Sequence, residues 1–262
     1  MSRESRKPFA KKSLGQNFLV DQNYIRKITA AADPQPTDTI IEIGPGRGAI
    51  TDGLVESGAN IIAIELDREF APQLAERFNA AKNFRVVEAD AAQIAFGKLT
   101  TEKSQFKLVA NLPYYISTAI LQHLAAQREH FTSLVLMFQK EVVDRISSPA
   151  GDSERGFLTV LTELAFSVER LFDVPPNAFR PVPKVTSTVA RLTPKPKTDI
   201  DEARFRELVS TAFSQKRKTI LNNLKSRYPD ARGKLERSGI DASRRAESLE
   251  MSEWIALLRS LG

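Results

Sequence analysis

Asn111-Leu112-Pro113-Tyr114 follows the apolar run Phe106 to Ala110, and its residue types are those that could hold an exocyclic amine. An amide, main-chain carbonyls in line and an aromatic face would converge at one strand end. The lone pair of an amino group on a heteroaromatic ring is delocalised into the ring and attacks poorly. Acceptors placed on both of its N–H bonds draw that pair back onto nitrogen. The Asn111 side-chain oxygen and the Leu112 carbonyl are the candidate acceptors, because Pro113 stiffens the turn and biases Leu112 towards an extended conformation. Tyr114 would stack on the base. Alone, the tetrapeptide also fits an ordinary strand exit that contains a proline.

A second group of residues could hold a nucleoside. Ile40-Ile-Glu42-Ile-Gly44-Pro-Gly46-Arg-Gly48-Ala49 reads as a strand entering a glycine-rich turn that opens a helix. The glycines permit tight turning and close approach of a ligand to the backbone. With Ala49 as its last position, the turn fits the dinucleotide pattern Gly-x-Gly-x-x-Gly/Ala, a weak signal by itself. Glu65 lies 21 positions after Gly44, at the end of the next strand, where a carboxylate would accept both ribose hydroxyls. A third strand runs into Ala89-Asp90-Ala91, so Asp90 could accept from an adenine amino group. Glu42 could approach the far end of such a cofactor or only orient the loop, and Asp67 reads as a helix cap. Sites at the carboxyl ends of adjacent strands are where open α/β sheets bind ligands.

The elements that must carry these residues follow from the same pattern. Between about 23 and 192, β-rich runs alternate with helical ones, which predicts an α/β fold with a largely parallel sheet. Strands are expected at Thr39 to Ile43, Asn60 to Leu66, Phe84 to Glu88, Leu108 to Asn111 and Ser133 to Phe138, and helices near Ile50 to Ser57, Arg68 to Phe78 and Ser117 to Ala126. Val174 to Lys184 holds four prolines and must be an extended loop; Thr186 to Leu192 could close the sheet as an antiparallel strand. Thr193-Pro-Lys-Pro-Lys-Thr198 is a stiff charged connector. Beyond it the chain reads as helices only. The expected division is a basic segment 1–22, an α/β domain 23–197 and a helical domain 198–262.

Composition narrows the partners. The chain has 262 residues, 42% of them hydrophobic and 27% charged, enough for a full core. A net charge of +6 and a pI near 9.5 favour polyanions. No cysteine is present, which removes disulfides, thiolate nucleophiles and cysteine metal sites. His123 and His130, seven apart in what reads as a helical segment, could share a face but lack a third ligand, so no metal is expected. No apolar run reaches the roughly 20 residues that span a bilayer, and Met1 to Phe9 is not followed by an apolar signal core. A cytoplasmic location is the default expectation.

Taken together, Lys12-Ser-Leu-Gly-Gln-Asn-Phe-Leu-Val-Asp21, Glu42 to Gly48, Glu65, Asp90, Asn111-Leu-Pro-Tyr-Tyr-Ile-Ser-Thr118, Met137-Phe-Gln-Lys-Glu-Val142, Val174-Pro-Pro-Asn-Ala-Phe179, Pro183-Lys-Val185 and Gln215-Lys-Arg-Lys-Thr219 resemble, in order and spacing, the KsgA/RsmA family of small-subunit (16S) ribosomal RNA adenine N6,N6-dimethyltransferases. The resemblance runs through nearly the whole chain. It implies a Rossmann-like class I methyltransferase fold with a mostly parallel seven-stranded sheet and a small C-terminal helical domain. It further implies S-adenosyl-L-methionine as cofactor and dimethylation of N6 on each of two adjacent adenines near the 3′ end of the 16S RNA, in the immature small (30S) subunit, with a role in small-subunit biogenesis. Carried over by motif, Gln16, Asn17 and Leu19 would fold over the cofactor, Gly44 and Gly46 would contact it, Glu65 would take the ribose and Asp90 the adenine. Asn111 would sit between methyl donor and acceptor base.

The target base must be unpaired and turned outward. Tyr114 is one candidate stacking face and Phe179 the other, although Phe179 also reads as a core plug; Tyr115 and Phe138 are assigned to packing. Arg170 to Lys197 carries six basic residues against one acidic, and Gln215 to Tyr228 five against none, so Lys184, Lys216, Arg217 and Lys218 are candidate phosphate contacts. Arg3, Arg6, Lys7, Lys11 and Lys12 suggest a basic arm that orders on the ribosome. The chain departs from the family at Ala119, usually a proline, and at Arg155-Gly-Phe157, usually Tyr-Gly-Arg, which puts contacts on the substrate side in question.

Rival readings are a large-subunit (23S) enzyme of the macrolide-resistance type, which more often reads Asn-Ile-Pro-Tyr, a nicotinamide dehydrogenase, and a ribosome-assembly factor acting mainly by binding. A monomer is expected, because no coiled-coil heptads are present.

Overall fold

The computed structural model describes residues 17–100 and 105–261. Gln16 and the basic residues up to Lys12 lie outside the described residues.

In chain order the elements are β1 (Phe18–Leu19), α1 (Gln22–Ala32), β2 (Thr39–Ile43), α2 (Thr51–Glu56), β3 (Asn60–Glu65), α3 (Phe70–Arg77), β4 (Phe84–Glu88), β5 (Phe106–Asn111), α4 (Ser117–Ala126), β6 (Phe131–Gln139), α5 (Lys140–Ile146), α6 (Phe157–Ala165), β7 (Phe166–Val174), β8 (Phe179–Arg180), β9 (Ser187–Pro194), α7 (Glu202–Ala212), α8 (Ile220–Leu224), α9 (Ala231–Arg237) and α10 (Met251–Ser260). Seven strands form one sheet in the order β4-β3-β2-β5-β6-β9-β7, and β1 pairs with β8 apart from it. Neighbours from β4 to β6 run parallel, and β9 lies antiparallel to β6.

The order reverses between β2 and β5. From β2 the chain builds outward through β3 to β4, then crosses back to lay β5 on the other side of β2. The crevice at that reversal, beyond the strands' carboxyl ends, is where such sheets take ligands. Central strands carry continuous apolar runs because helices cover both faces of a parallel sheet: Ile40, Ile41, Ile43, Ile61, Ile62, Ala63 and Ile64 are all buried. α1 packs through Ile25, Ile28 and Ala32, one apolar stripe at helical spacing, and Asp21 caps it by accepting from the Asn23 amide at 2.8 Å.

The chain divides into two compact units, 1–143 with 168–194 and 144–167 with 195–262. This corrects the expected uninterrupted stretch 23–197. Residues 144–167 belong with the helical unit because α6 contributes Val160 and Leu164 to its core, beside Phe205, Leu208, Leu235, Trp254 and Leu257. Arg155 is buried there and donates to the Ser148 carbonyl (3.1 Å), the Glu163 carboxylate (2.6 Å) and the Leu249 carbonyl (3.3 Å). Phe157 packs on the same core beneath the Arg206 guanidinium. At the departure 155–157, Arg155 and Phe157 are thus engaged in the packing of this unit. Ala119 is an exposed residue in the first turn of α4.

α4 ends at Ala126, so His123 and His130 do not share a helix. The His123 ring lies 2.7 Å from the Ile94 carbonyl, and the His130 ring packs against Gly97, where a Cβ would come within 2.7 Å of it. Among the described residues no group of three or more His, Asp or Glu could hold a metal ion, and no helix is long and apolar enough to cross a membrane.

Candidate active site

The glycine turn after β2 bends through residues that only glycine supplies without strain. Gly44 and Gly46 have φ of 67° and 55°, a region in which a Cβ crowds the following carbonyl. The Gly44 amide donates to the Ile64 carbonyl (2.9 Å), which ties the turn to β3. α2 begins only at Thr51, so a turn separates the glycines from the helix that the sequence has opening directly on them.

Glu65 ends β3 with both carboxylate oxygens held by main-chain donors, Oε1 by the Asp67 amide (2.8 Å) and Oε2 by the Gly46 amide (3.0 Å). Burial pushes its carboxyl above the ordinary carboxylate range, while those two amides oppose the shift. The clamp fixes the direction of the carboxylate's remaining lone pairs. Asp67 accepts from the Glu69 amide at 3.0 Å in the turn before α3, but the N-cap position is Glu69, without a side-chain cap bond, so Asp67 is a turn former and not the expected cap. Asp90 accepts from the Ala92 amide (2.9 Å) and from the Gln93 side chain (2.6 Å). Leu66, between Glu65 and Asp67, is 49% exposed; an exposed apolar residue at the end of a central strand offers a flat base a surface, and the sequence reading passed over it.

Glu42 is buried on β2, where its Oε2 accepts from the Thr51 hydroxyl at 2.7 Å. Burial pushes its carboxyl up to about 7; the Thr51 bond opposes the rise, and the charges of Glu65 and Asp52 add to it. It is oriented by α2 and also faces the cavity, so both roles open in the sequence are geometrically available.

Asn111 ends β5 opposite Met137 of β6. Its Nδ2 donates to the Asn17 carbonyl at 3.3 Å, across 94 positions of sequence. The Leu112 side chain is buried and its amide donates to the Met137 carbonyl (3.3 Å), which fixes the strand exit. The Tyr114 hydroxyl lies 2.8 Å from Ser187 Oγ of β9, and burial raises its pKa. Tyr115, assigned to packing in the sequence, is instead 56% exposed, on the turn at 114–116. Phe138 is fully buried.

One cavity of about 330 Å³ is lined by Asn17, Leu19, Gly44, Gly46, Glu65, Asp90, Asn111, Leu112 and Tyr114 together, with Phe18, Glu42, Arg47, Leu66 and Tyr115 beside them. Phe179 does not line it. This side chain is 1% exposed, packed with Leu19, Val174 and Ala178 in the core, and has no free face for a base; the rigid loop places it inward because β8 pairs with β1. Lys184 is exposed in the loop before β9. Lys216, Arg217 and Lys218 are exposed on a turn of the helical unit and do not line the cavity. Asn223, which the sequence reading did not single out, is buried behind that turn and donates to the Ala212 and Gln215 carbonyls at 2.5 and 3.2 Å.

Known proteins resemble this chain in sequence and in fold. The sequence profile of the ribosomal RNA adenine dimethylase family matches residues 9–261. The ribosomal RNA small subunit methyltransferase A of Saccharophagus degradans is 43% identical over 96% of this chain and 94% of its own length. Its counterpart from Aromatoleum aromaticum is 41% identical over 95% and 92%. Among solved structures, a dimethyladenosine transferase from Plasmodium falciparum superposes with a TM-score of 0.78 at 28% identity, covering 92% of this chain and 96% of that one. The 23S rRNA methyltransferase ErmE gives 0.69 at 26% identity, covering 94% and 99%. The sheet order, with its antiparallel β9, is that of a Rossmann-like class I methyltransferase. With a profile that spans both units and relatives matched over nearly their full length, this chain belongs to the ribosomal RNA adenine dimethylase family.

Proposed function

We propose that this protein dimethylates N6 of two adjacent adenines near the 3′ end of 16S ribosomal RNA, within the immature small subunit, acting as a monomer in the cytoplasm. The observation that carries the reading is one cavity in which a clamped nucleoside site, Glu65 and Asp90, meets the Asn111 to Tyr114 strand end.

The donor set fits S-adenosylmethionine. Each Glu65 oxygen already takes one main-chain N–H and keeps capacity for a hydroxyl of a vicinal diol. Asp90 can accept from an adenine amino group beside the apolar surface of Leu66 and Ala91, and the carboxylate of Glu42 and the bend at Gly44 border the remaining space. When bound, the cofactor supplies a methyl group on a sulfonium, and in-line transfer dissipates positive charge.

The protein's part is positioning. Asn111 Oδ1 and the Leu112 carbonyl accept the two N–H bonds of the target amine and return its lone pair to nitrogen. Tyr114, held through its hydroxyl by Ser187, offers a face for the base, and Tyr115 supplies the exposed aromatic surface that Phe179 does not. The amine becomes strongly acidic after attack and can release its proton to water. Neither Glu65 nor Asp90 has to act as a base.

The choice of small-subunit RNA is supported by the relatives named as small subunit methyltransferases. Phosphates of the RNA would be met by Lys184, Lys216, Arg217 and Lys218. The test is transfer of labelled methyl from S-adenosylmethionine to small and large subunits lacking adenine dimethylation, followed by nuclease digestion and mass analysis. N6,N6-dimethyladenosine in the small subunit alone is expected; label confined to the large subunit would overturn the assignment. An Asn111→Ala variant that still binds immature small subunits would show a role in assembly separable from methylation.

A further inference from the structure

An asparagine side chain has two ends, and only one can serve an amine. If Oδ1 faces the substrate it accepts an N–H; if the amide is flipped, donor meets donor and the contact repels. What holds the Asn111 amide the right way round lies outside its own strand. Its Nδ2 donates to the main-chain carbonyl of Asn17, and a flipped amide would set oxygen against that carbonyl.

We infer that the segment Asn17 to Leu19 is a positioning element of the methyl-transfer site, in which the Asn17 carbonyl keeps Asn111 Oδ1 turned outward as the free acceptor. This rests on the reading of Asn111 as the amine's acceptor. The segment is well fixed for the task. Phe18 pairs with Arg180 and Leu19 with Phe179, and the Val20 and Asp21 amides both donate to the Ala178 carbonyl, at 2.9 and 3.3 Å. The Phe18 ring stands edge-on to Phe70 at 5.6 Å, with the Arg47 guanidinium 4.4 Å from its centre. It also presses on the glycine turn: a Cβ on Gly46 would come within 3.2 Å of it. Leu19 and Phe179 are buried together. The burial of Phe179 thus acquires a purpose. It anchors β8, which anchors β1, which presents the carbonyl to Asn111.

A segment that merely covered the cavity would change ligand affinity without acting through Asn111. The two cases separate in a double-mutant cycle. Phe18→Ala, Asn111→Ala and the double variant are compared for kcat and for KM of both S-adenosylmethionine and RNA. The Asn111 side-chain amide, assigned by its loss in Asn111→Ala, is followed by NMR in the ligand-free protein. Phe18→Ala should lower kcat about ten- to a hundredfold, have no further effect on kcat once Asn111 is gone, and shift the Asn111 amide while speeding its exchange with solvent. Arg47→Ala removes the exposed guanidinium that lies over the Phe18 ring while leaving that ring in place, so it should fold and shift the same amide less. Additive effects on kcat, or an Asn111 amide unmoved in both Phe18→Ala and Arg47→Ala, would overturn the inference. Should the wild type transfer no methyl to RNA, the functional reading fails, and the amide resonance still decides whether the segment holds Asn111.

Discussion

Replacing Glu42 by Gln should change how the protein's stability depends on pH. Glu42 is 2% exposed, and burial raises its carboxyl from an ordinary 4.5 to about 7. Below pH 4.5 both folded and unfolded chains carry the proton, and ionisation costs the fold nothing. Between 4.5 and 7 the unfolded chain has lost a proton that the folded chain keeps, so stability falls as pH rises. The slope is about 1.4 kcal/mol per pH unit, which over this interval gives a loss of about 3 kcal/mol, complete once the pH passes the folded value. Gln cannot ionise, yet its amide oxygen can still accept the Thr51 hydroxyl that Glu42 Oε2 accepts at 2.7 Å. Wild type and Glu42→Gln should therefore unfold alike near pH 4.5 and diverge upward, the variant being the more stable by about 3 kcal/mol at pH 8. At a few degrees of Tm per kcal/mol, that is roughly 5 to 10 °C in calorimetric scans. A difference that stays constant from pH 5 to 8, or grows in the opposite sense, would refute the reasoning from burial. A carbon-13 titration of the Glu42 carboxyl locates its midpoint independently.

Glu65→Ala removes the carboxylate from the Gly46 and Asp67 amides and the acceptor from the ribose, and hydrogen bonds to a charged group are worth about 1.5–3 kcal/mol each; S-adenosylmethionine affinity by titration calorimetry should fall at least about tenfold, and an unchanged Kd would count against the site. Replacing Arg217 and Lys218 by Ala should weaken RNA binding and lower its salt slope by about 0.7–0.9 per lost phosphate contact, without altering kcat at saturating RNA. Phe179→Ala should destabilise the fold by about 3–5 kcal/mol, as loss of a buried aromatic does. Tyr115→Ala should leave Tm nearly unchanged and raise KM for RNA, since one base stack is worth about 1–3 kcal/mol; the reverse pattern would restore Phe179 as the stacking face.

Much of the site was legible because a parallel sheet ties residue type to place. An unbroken run such as Ile61-Ile-Ala-Ile64, between turn residues, fits a strand covered on both faces, and the polar residue that ends it, Glu65, falls at the crevice. That logic placed Glu65 and Asn111 at strand ends before any coordinates, and Asp90 just past the end of a third strand. The edge strand β7 escaped it: Phe166 to Val174 is half polar, because an edge strand with an exposed face has no continuous run to show. Residues 144–167 escaped too, since the apolar stripe of a helix states that a face must be buried and not against what. α6 answers to Phe205 and Trp254, dozens of positions further along.

The sequence by itself determined the α/β alternation and the side chains that could meet a nucleoside and an amine, because periodicity, strand ends and glycine turns are local properties of residue type, while the order and spacing of its motifs carried the resemblance to a family. Only the tertiary structure decided that Phe179 faces inward and Tyr115 outward, that Glu42 is buried so that its carboxyl is pushed up, and that the Asn17 main-chain carbonyl accepts from Asn111 Nδ2. Each of these is fixed by groups far away in the chain. A backbone carbonyl, moreover, is the same at every residue and leaves no mark in a sequence.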